Sequence, residues 1–235
     1  MTTERKQTAL VTGASRGIGR AIALKLASDG YDIVAVARRQ EELDTLANEV
    51  RAAGGKCRGI ALDLSDPWAI ATGLGGIDVD VLVNNAGVGV IKPFTELTPA
   101  EWNSMIDLNI NALYHVTRAA LPAMLARGSG HVCTIGSIGG RGAWVGGSCY
   151  GATKAFVNSW AEMLMLEVRD RGIKVSVVQP GGVATEFGGH TPGEGDAWKL
   201  TAAEVAEGVS VIVSQPGHVL IHRLEIRTND VAKKH

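Results

Sequence analysis

Tyr150 and Lys154 have the residue types and the spacing needed to move a proton. A helix is predicted from Tyr150 to Arg171, and residues four apart on a helix share one face. A free tyrosine has a pKa of about 10, and a neighbouring ammonium group favours its phenolate form. Ser137 follows a predicted strand, where its hydroxyl can donate to an oxygen that gains negative charge. These three side chains could therefore transfer a proton to or from a substrate oxygen.

A glycine-rich segment, Thr12-Gly13-Ala14-Ser15-Arg16-Gly17-Ile18-Gly19, follows the first predicted strand and begins the first predicted helix. Glycines let the backbone approach a ligand closely, and a helix N-terminus offers amide groups and a positive dipole end. This context predicts that a dinucleotide pyrophosphate binds at the segment, with the residues Gly13, Ser15, Arg16, Gly17, Ile18 and Gly19. A tight strand-to-helix connection without a ligand is the alternative interpretation.

The second predicted strand ends in positive charge. Arg38 and Arg39 follow Ala37, at the place where a carboxylate would otherwise bind the ribose of NAD. Arginine suits a 2′-phosphate, and Arg16 could approach the same group from the glycine segment. We therefore predict NADP(H) as the cofactor. Alternatively, the two arginines begin a solvated helix and Arg16 faces solvent.

Three further segments lie where predicted strands end. Asp63, followed by Leu64, could bind the adenine amine or cap the turn before Pro67. In Asn84-Asn85-Ala86-Gly87, small residues would let the chain pass close to the ribose and nicotinamide, with an ordinary turn as the alternative. Pro180-Gly181 on its own is typical of a simple Pro-Gly turn. From the first two segments, the candidate cofactor residues are Asp63, Leu64, Asn85, Ala86 and Gly87.

Short apolar runs rich in β-branched residues alternate with helical patterns along the whole chain, which is typical of successive βαβ units. The fold class is therefore predicted as α/β, a doubly wound, Rossmann-like, seven-stranded parallel sheet with helices on both faces. The predicted strands are Thr8–Thr12, Ile33–Ala37, Cys57–Ala61, Val79–Asn84, His131–Ile135, Lys174–Val178 and Val219–Ile226. The predicted helices include Ile18–Asp29, Glu41–Ala53, Trp102–Ala126 and Tyr150–Arg171. The length of 235 residues predicts a single domain, 1–235, in which the glycine-rich residues 181–199 form a substrate lid.

The composition limits the function classes. The chain has 46% hydrophobic and 20% charged residues and a net charge of −1, which gives no attraction for nucleic acid. Three cysteines without metal-ligand spacing predict reduced thiols, and no signal segment or span of about 18 apolar residues is found. We expect a cytoplasmic protein without membrane, nucleic-acid or metal partners. Apolar residues on several faces of the two longest predicted helices predict a homo-oligomer, either a dimer or a tetramer.

Taken together, the glycine segment, Asn84 to Gly87, Asn109, Ser137, Tyr150-Gly151-Ala152-Thr153-Lys154 and Pro180-Gly181 resemble the short-chain dehydrogenase/reductase family over about the whole chain. The resemblance implies that Lys154 binds the nicotinamide ribose and that Ser137 binds the substrate oxygen. It implies a water on Asn109 that links Lys154 to solvent, although Ala112 stands where the family commonly has glycine. It also implies that Pro180 and Gly181 begin a nicotinamide-side loop that binds the cofactor, in which the backbone near Val183 and the side chain of Thr185 hold the carboxamide.

The substrate pocket is predicted to be lined by residues 138–145 and by the lid. Trp144, Phe187 and Trp198 could give it apolar or flat walls, although aromatic residues near a lid often serve packing. Arg141 could bind a carboxylate or phosphate, and His190 could contact substrate, but both could equally face solvent. His218 and His222 are four residues apart in surroundings that favour a strand, without a third ligand, so a metal site is not predicted.

These observations predict an NADPH-dependent carbonyl reductase or alcohol dehydrogenase with Tyr150 as its general acid/base. The substrate would be a small ketone, 3-oxoacyl group or 3-hydroxy acid, to which the resemblance to carbonyl reductases points. Two alternatives are a non-catalytic NADP(H)-sensing protein and a nucleotide-sugar epimerase or dehydratase that recycles its cofactor. The sensor would not need Asn109, Ser137, Tyr150 and Lys154 together, and the epimerases usually have a further C-terminal substrate region.

Overall fold

A computed structural model describes residues 6–230 of the chain. Seven parallel strands form one sheet in the order β3-β2-β1-β4-β5-β6-β7. The strands are β1 Thr8–Thr12, β2 Asp32–Ala37, β3 Cys57–Ala61, β4 Val81–Asn84, β5 Gly130–Ile135, β6 Ile173–Pro180 and β7 Arg223–Ile226. The helices are α1 Gly17–Ser28, α2 Gln40–Ala52, α3 Pro67–Leu74, α4 Pro99–Ile106, α5 Ala112–Arg127, α6 Tyr150–Val168 and α7 Ala202–Val213. The predicted fold class is confirmed.

Helices cover both faces of the sheet because its strands bury side chains on both sides. In β1, Ala9 and Val11 pack on the face that carries α1, α2 and α7. Leu10, which points the opposite way, packs on the face that carries α3, α5 and α6. Within residues 6–230, no helix is long and apolar enough to cross a membrane.

The predicted helix Trp102–Ala126 is wrong in its bounds. The structure has two helices, α4 and α5, joined by one turn of π-helix over Asp107–Asn111. Insertion of such a turn keeps the apolar spacing roughly helical, so periodicity alone does not reveal it. The turn contains Asn109, and π-helical turns are frequent at functional sites.

Three helices begin at N-cap residues that were not among the predicted helix starts. The side chain of Asp66 accepts hydrogen bonds from the first-turn amides of α3. Thr98 with Glu101 and Thr201 with Glu204 form capping boxes at the starts of α4 and α7. A threonine followed three residues later by glutamate is a readable start signal, so α4 and α7 could have been placed from sequence.

The predicted strand Val219–Ile226 is wrong in its first half. Strand β7 begins only at Arg223, and His218 lies in a turn, so the two histidines do not share a strand. Side chains of β6 donate hydrogen bonds to backbone oxygens of the segment before β7. Ser176 Oγ donates to Ile221 O (2.7 Å), and Lys174 Nζ donates to Pro216 O (2.6 Å). His222 Nδ1 lies 3.0 Å from Val175 O.

The strand order reverses between β1 and β4, because β2 and β3 extend the sheet on one side and β4 to β7 on the other. At such a switch point, the loops after the two adjacent strands diverge and leave a crevice at the carboxyl edge of the sheet. The glycine segment and Asn84 to Gly87 lie at this crevice.

Candidate active site

Hydrogen bonds join the two strand ends at the crevice. Thr12 Oγ1 accepts from the amides of Asn85 (2.9 Å) and Ala86 (3.0 Å). Asn85 Nδ2 donates back to Thr12 O (2.8 Å). These bonds bring two predicted cofactor residues, Asn85 and Ala86, beside Gly13, where a Cβ would lie 3.0 Å from the Cα of Ala86.

The glycines of this crevice let its backbone segments pack more closely than side chains would allow. A Cβ at Gly19 would lie 2.3 Å from the carbonyl oxygen of Gly13, and Gly13 and Gly17 have φ of +65° and +54°. Among the described residues, no side chain caps α1, whose N-cap is Arg16. The first-turn amides therefore remain available for an anion, and the cradle fits a dinucleotide pyrophosphate.

The two arginines after β2 differ in their surroundings. Arg39 forms an ion pair with Glu42 at 2.5 Å. Arg16 and Arg38 are exposed, and within residues 6–230 neither lies in an ion pair with a carboxylate. Arg16 and Arg38 are therefore the two arginines available for a 2′-phosphate.

Asp63 lies in a local turn beyond β3. Its Oδ1 accepts from Ser65 N (2.9 Å) and Ser65 Oγ (2.8 Å), and these bonds lower the pKa of the Asp63 carboxyl. The cap of the helix that follows is instead Asp66. Leu64 is buried at 5% exposure and packs in the core between the sheet, α3 and α5.

Tyr150 is the first residue of α6, and Ser137 lies two residues after β5. Burial raises the pKa of Tyr150, while a hydrogen bond with the Ser137 side chain lowers it by a smaller amount. The sequence predicts that a neighbouring ammonium group favours the phenolate, but burial of the phenol outweighs the opposing effects. Ser137 Oγ also accepts from Gly139 N (3.0 Å), which fixes the serine at the strand end.

Lys154 lies one turn after Tyr150 and is buried, with 7% of its surface exposed. Its Nζ donates to Ile135 O (2.8 Å) at the end of β5, and burial lowers the pKa of Lys154 to about 8. A Cβ at Gly87 would lie 3.9 Å from Lys154 Nζ and 2.9 Å from Asn109 Oδ1. Gly87 thus allows the chain after β4 to pass between these two side chains.

Both side-chain groups of Asn109 form hydrogen bonds within the chain. Its Oδ1 accepts from Val88 N (2.9 Å), and its Nδ2 donates to Val88 O (2.9 Å) and to Thr153 Oγ1 (2.9 Å). Thr153 lies on α6 next to Lys154. Asn109 therefore connects the π-helical turn, the loop after β4 and α6, and its side chain has no further hydrogen to donate.

Asn158 is a residue of the site that was not predicted from the sequence. This residue follows Lys154 by one further turn of α6, is 7% exposed, and donates from Nδ2 to Ser137 O (3.1 Å). Its Oδ1 is buried without a hydrogen-bond partner among the described residues, and a Cβ at Gly136 would lie 2.2 Å from it. Lys154 and Asn158 together fasten α6 to the two carbonyl groups that flank Gly136.

The loop after β6 lies beside the glycine segment. Gly181 N donates to Ile226 O (2.8 Å), and Val183 pairs with Leu200 in an isolated β-bridge that closes the base of the loop. Thr185 is 8% exposed, and a Cβ at Gly17 would touch its side chain at 3.6 Å. The structure therefore brings Thr185, which is far away in sequence, against the predicted pyrophosphate cradle.

Two aromatic side chains flank the ring of Tyr150. Its centroid lies 6.5 Å from that of Trp144 and 5.5 Å from that of Phe187. Trp198 instead lies against Gly182, with Lys199 Nζ 5.8 Å from its ring centroid. Trp144 and Phe187, but not Trp198, thus contact the ring of the predicted acid/base.

The two basic residues considered for substrate binding are both paired. Arg141 forms an ion pair with Glu225 on β7, and His190 Nε2 lies 2.6 Å from Asp196 Oδ2. Within the described part of the chain, no cluster of three His, Cys, Asp or Glu side chains could hold a metal ion.

Comparison with known families agrees with this arrangement. The sequence profile of the short chain dehydrogenase family matches residues 7–193. The chain belongs to the short-chain dehydrogenase/reductase family. This family assignment confirms the resemblance derived from the sequence motifs.

This short-chain dehydrogenase is similar to proteins of known activity. It is 32% identical to serine 3-dehydrogenase of Rhizobium radiobacter, over 93% of this chain and 92% of the relative. It is 35% identical to the NADP-dependent 3-hydroxy acid dehydrogenase YdfG of Escherichia coli (strain K12), over 92% and 93% of the two chains. The alcohol dehydrogenase of the archaeon Thermococcus sibiricus complexed with 5-hydroxy-NADP superposes with a TM-score of 0.91, at 30% identity, over 98% of this chain and 100% of that one.

The short-chain dehydrogenase is therefore an NADP(H)-dependent oxidoreductase that acts on hydroxyl or carbonyl groups. The NADP(H) prediction and the enzyme class are confirmed. The glycine cradle and the exposed Arg16 and Arg38 fit this cofactor on their own chemistry.

Proposed function

We propose that this short-chain dehydrogenase reduces a small ketone or 3-oxoacyl group, or oxidises the matching alcohol or 3-hydroxy acid, with Tyr150 as general acid/base. The observation that carries the proposal is the fixed group of Ser137, Tyr150 and Lys154 beside the glycine cradle. The activities of the two similar dehydrogenases, on serine and on 3-hydroxy acids, support a substrate with a hydroxyl group of this kind.

In the reducing direction, Tyr150 donates its phenolic proton to the carbonyl oxygen, and Ser137 donates a hydrogen bond to the same oxygen. NADPH supplies the hydride when it is bound. Because burial raises the pKa of Tyr150, the phenol is protonated at neutral pH, which is the form that reduction needs. Oxidation needs the phenolate, so its rate is expected to rise as pH increases above neutrality.

Lys154 and Asn109 are assigned roles in cofactor and water binding next to Tyr150. Lys154 has donors left after its bond to Ile135 O, and we assign these to the nicotinamide ribose. Asn109 uses both Nδ2 hydrogens for Val88 and Thr153, so the assigned water would donate to Asn109 Oδ1 or be held by backbone carbonyls that the π-turn frees.

The cofactor is assigned to the cradle as the sequence indicates. Backbone amides at the start of α1 would hold the pyrophosphate, Arg16 and Arg38 the 2′-phosphate, and Asp63 the adenine amine. The loop after β6 would hold the carboxamide through Val183 and Thr185, and residues 181–199 would act as the lid over the substrate.

A homo-oligomer is proposed on the exposed apolar side chains of α5 and α6. Tyr114, Phe156, Met163 and Leu166 are 51%, 43%, 60% and 56% exposed. Apolar residues of this size are expected to be covered when they form one surface. Sedimentation velocity should show a dimer or tetramer, and a monomer at micromolar concentration would refute this proposal.

The function is tested by following NADPH absorbance with a panel of ketones, 3-oxo esters, 2- and 3-oxo acids, diketones and quinones, with NADH in parallel. The expected result is turnover of carbonyl compounds with NADPH and slower turnover with NADH. If NADPH binds but no member of the panel is reduced, the reductase proposal fails and the sensor alternative gains support.

A further inference from the structure

Three loops at the carboxyl edge of the sheet surround Tyr150: residues 85–98, 136–149 and 181–201. Gly89 of the first loop approaches both Tyr150 and Phe187, since a Cβ there would lie 3.0 Å from Tyr150 Cδ2 and 2.5 Å from Phe187 Cε1. Trp144 of the second loop and Phe187 of the third flank the Tyr150 ring. A substrate that reaches the phenol must therefore pass between these loops.

Each basic residue in the three loops already has a carboxylate partner within the chain. The loops contain Lys92, Arg141, His190 and Lys199. Lys92 pairs with Glu101 at 2.6 Å. Arg141 pairs with Glu225, which also pairs with Arg227. His190 and Lys199 both pair with Asp196, at 2.6 Å and 2.5 Å.

These internal partners compete with any carboxylate on a substrate. A partner in the same chain has a high effective concentration, so an incoming anion would have to displace a pair already formed. The same loops also carry Glu96, Glu186, Glu194 and Asp196. Among the described residues of these loops, carboxylates thus outnumber permanently charged cations, and an anionic substrate gains no net attraction.

The walls beside Tyr150 are instead aromatic and held in place. Trp144 Nε1 donates to Gly139 O (2.9 Å), and a Cβ at Gly147 would lie 2.5 Å from its indole ring. Phe187 packs on Gly89, and both aromatic side chains remain partly exposed, at 37% and 42%. The exposed Val145 and Ile91 extend this apolar surface. Fixed aromatic rings with an open edge bind flat or bulky apolar groups without a large loss of side-chain freedom.

We propose that the preferred substrate is a neutral carbonyl compound with an aromatic or bulky apolar substituent, and not a hydroxy or oxo acid. This inference rests on the proposed reductase function and narrows its substrate class. The specificity would differ from the activities named for the relatives, because the cations that could hold a substrate carboxylate already pair with carboxylates of this chain.

The test compares methyl 4-acetylbenzoate with 4-acetylbenzoate, which share a ring and a reacting ketone and differ in the charge and the methyl group of the para substituent. With NADPH saturating, kcat/KM for the ester should exceed that for the acid by about 10-fold or more, because the carboxylate would be desolvated without a free cation. Equal or higher kcat/KM for the acid would overturn the inference and leave the reductase function standing. Failure to reduce either compound or any ketone, with NADPH binding intact, would overturn the proposed function itself.

Two variants separate the contributions of charge and aromatic contact. Trp144→Ala should lower kcat/KM for acetophenone about 10-fold and that for butan-2-one less than about 3-fold, whereas Trp68→Ala, at a 76% exposed position of α3, should change neither. Equal losses for both ketones would contradict the aromatic contact. Glu225→Gln removes the carboxylate that Arg141 and Arg227 share and should raise the acid-to-ester ratio at least about 3-fold. An unchanged ratio would contradict the charge argument, and NADPH affinity serves as the folding control for both variants.

Discussion

His131 lies in β5 and is 4% exposed. Its Nε2 is 2.8 Å from Ser176 Oγ, and the Ser176 hydroxyl uses its hydrogen to donate to Ile221 O. The serine oxygen can therefore only accept from His131, which places the ring hydrogen on Nε2. Nδ1 is buried without a partner among the described residues. A second proton would sit on Nδ1 with no acceptor, so the folded protein strongly favours the neutral ring.

Burial, and to a lesser extent the charge of Lys174, lowers the pKa of His131 from 6.5 to about 3. The unfolded chain therefore takes up a proton near pH 6.5, while the folded chain does so only near pH 3. The contribution to stability is complete above pH 6.5 and is lost as pH falls towards 3. Since one pKa unit corresponds to about 1.4 kcal/mol, His131 alone should reduce the free energy of unfolding by about 2.7 kcal/mol between neutral pH and pH 4.5.

The variant His131→Gln cannot take up this proton. Urea unfolding, followed by tryptophan fluorescence, should be measured for the wild type and the variant at pH 7.5 and pH 4.5. The stability advantage of the wild type over the variant should shrink by about 2.7 kcal/mol at the lower pH, because the other titrating groups cancel in the difference. His218→Gln, at an exposed turn, is the matched control and should change the pH dependence little. A wild-type advantage that stays constant with pH would refute the assignment of a buried neutral His131.

Three further substitutions test the cofactor and substrate sites. Arg38→Asp should shift the NADPH-to-NADH ratio of kcat/KM towards NADH by about 10-fold or more, because it removes a phosphate partner and adds a ribose acceptor; an unchanged ratio would exclude Arg38. Asn158→Leu should lower kcat about 10-fold without changing KM for NADPH, because Ser137 loses its backbone anchor, and a wild-type kcat would contradict this role. Gly19→Ala should weaken NADPH binding measured by fluorescence titration, because its Cβ would lie 2.3 Å from Gly13 O; unaltered affinity would show that the cradle adapts.

The fold was predictable because strands buried on both faces and glycine-terminated helices leave strong local signals. β1 and β3 were predicted with their observed bounds, and α1 and α2 to within one residue at each end. The π-helical turn around Asn109 was not predictable, since it depends on the bonds of Asn109 to Val88 and Thr153 in other elements.

The same limit applies to the site. Tyr150 and Lys154 could be paired from their spacing alone, because one helix positions both. Asn158 belongs to none of the sequence motifs. Its role is visible only in the structure, where α6 packs against Gly136 and Ser137. Arg141 was open to two interpretations, since its partner Glu225 lies on a strand distant in sequence.

The role of Tyr150 as acid/base is tested most directly by the kcat of Tyr150→Phe for any ketone that the wild type reduces with NADPH. Phenylalanine keeps the ring between Trp144 and Phe187 but removes the proton donor, so kcat should fall at least about 100-fold while NADPH affinity is retained. Tyr114→Phe, at a 51% exposed position of α5, is the matched control and should keep full activity. A Tyr150→Phe enzyme with wild-type kcat would show that Tyr150 is not the acid/base of the reaction.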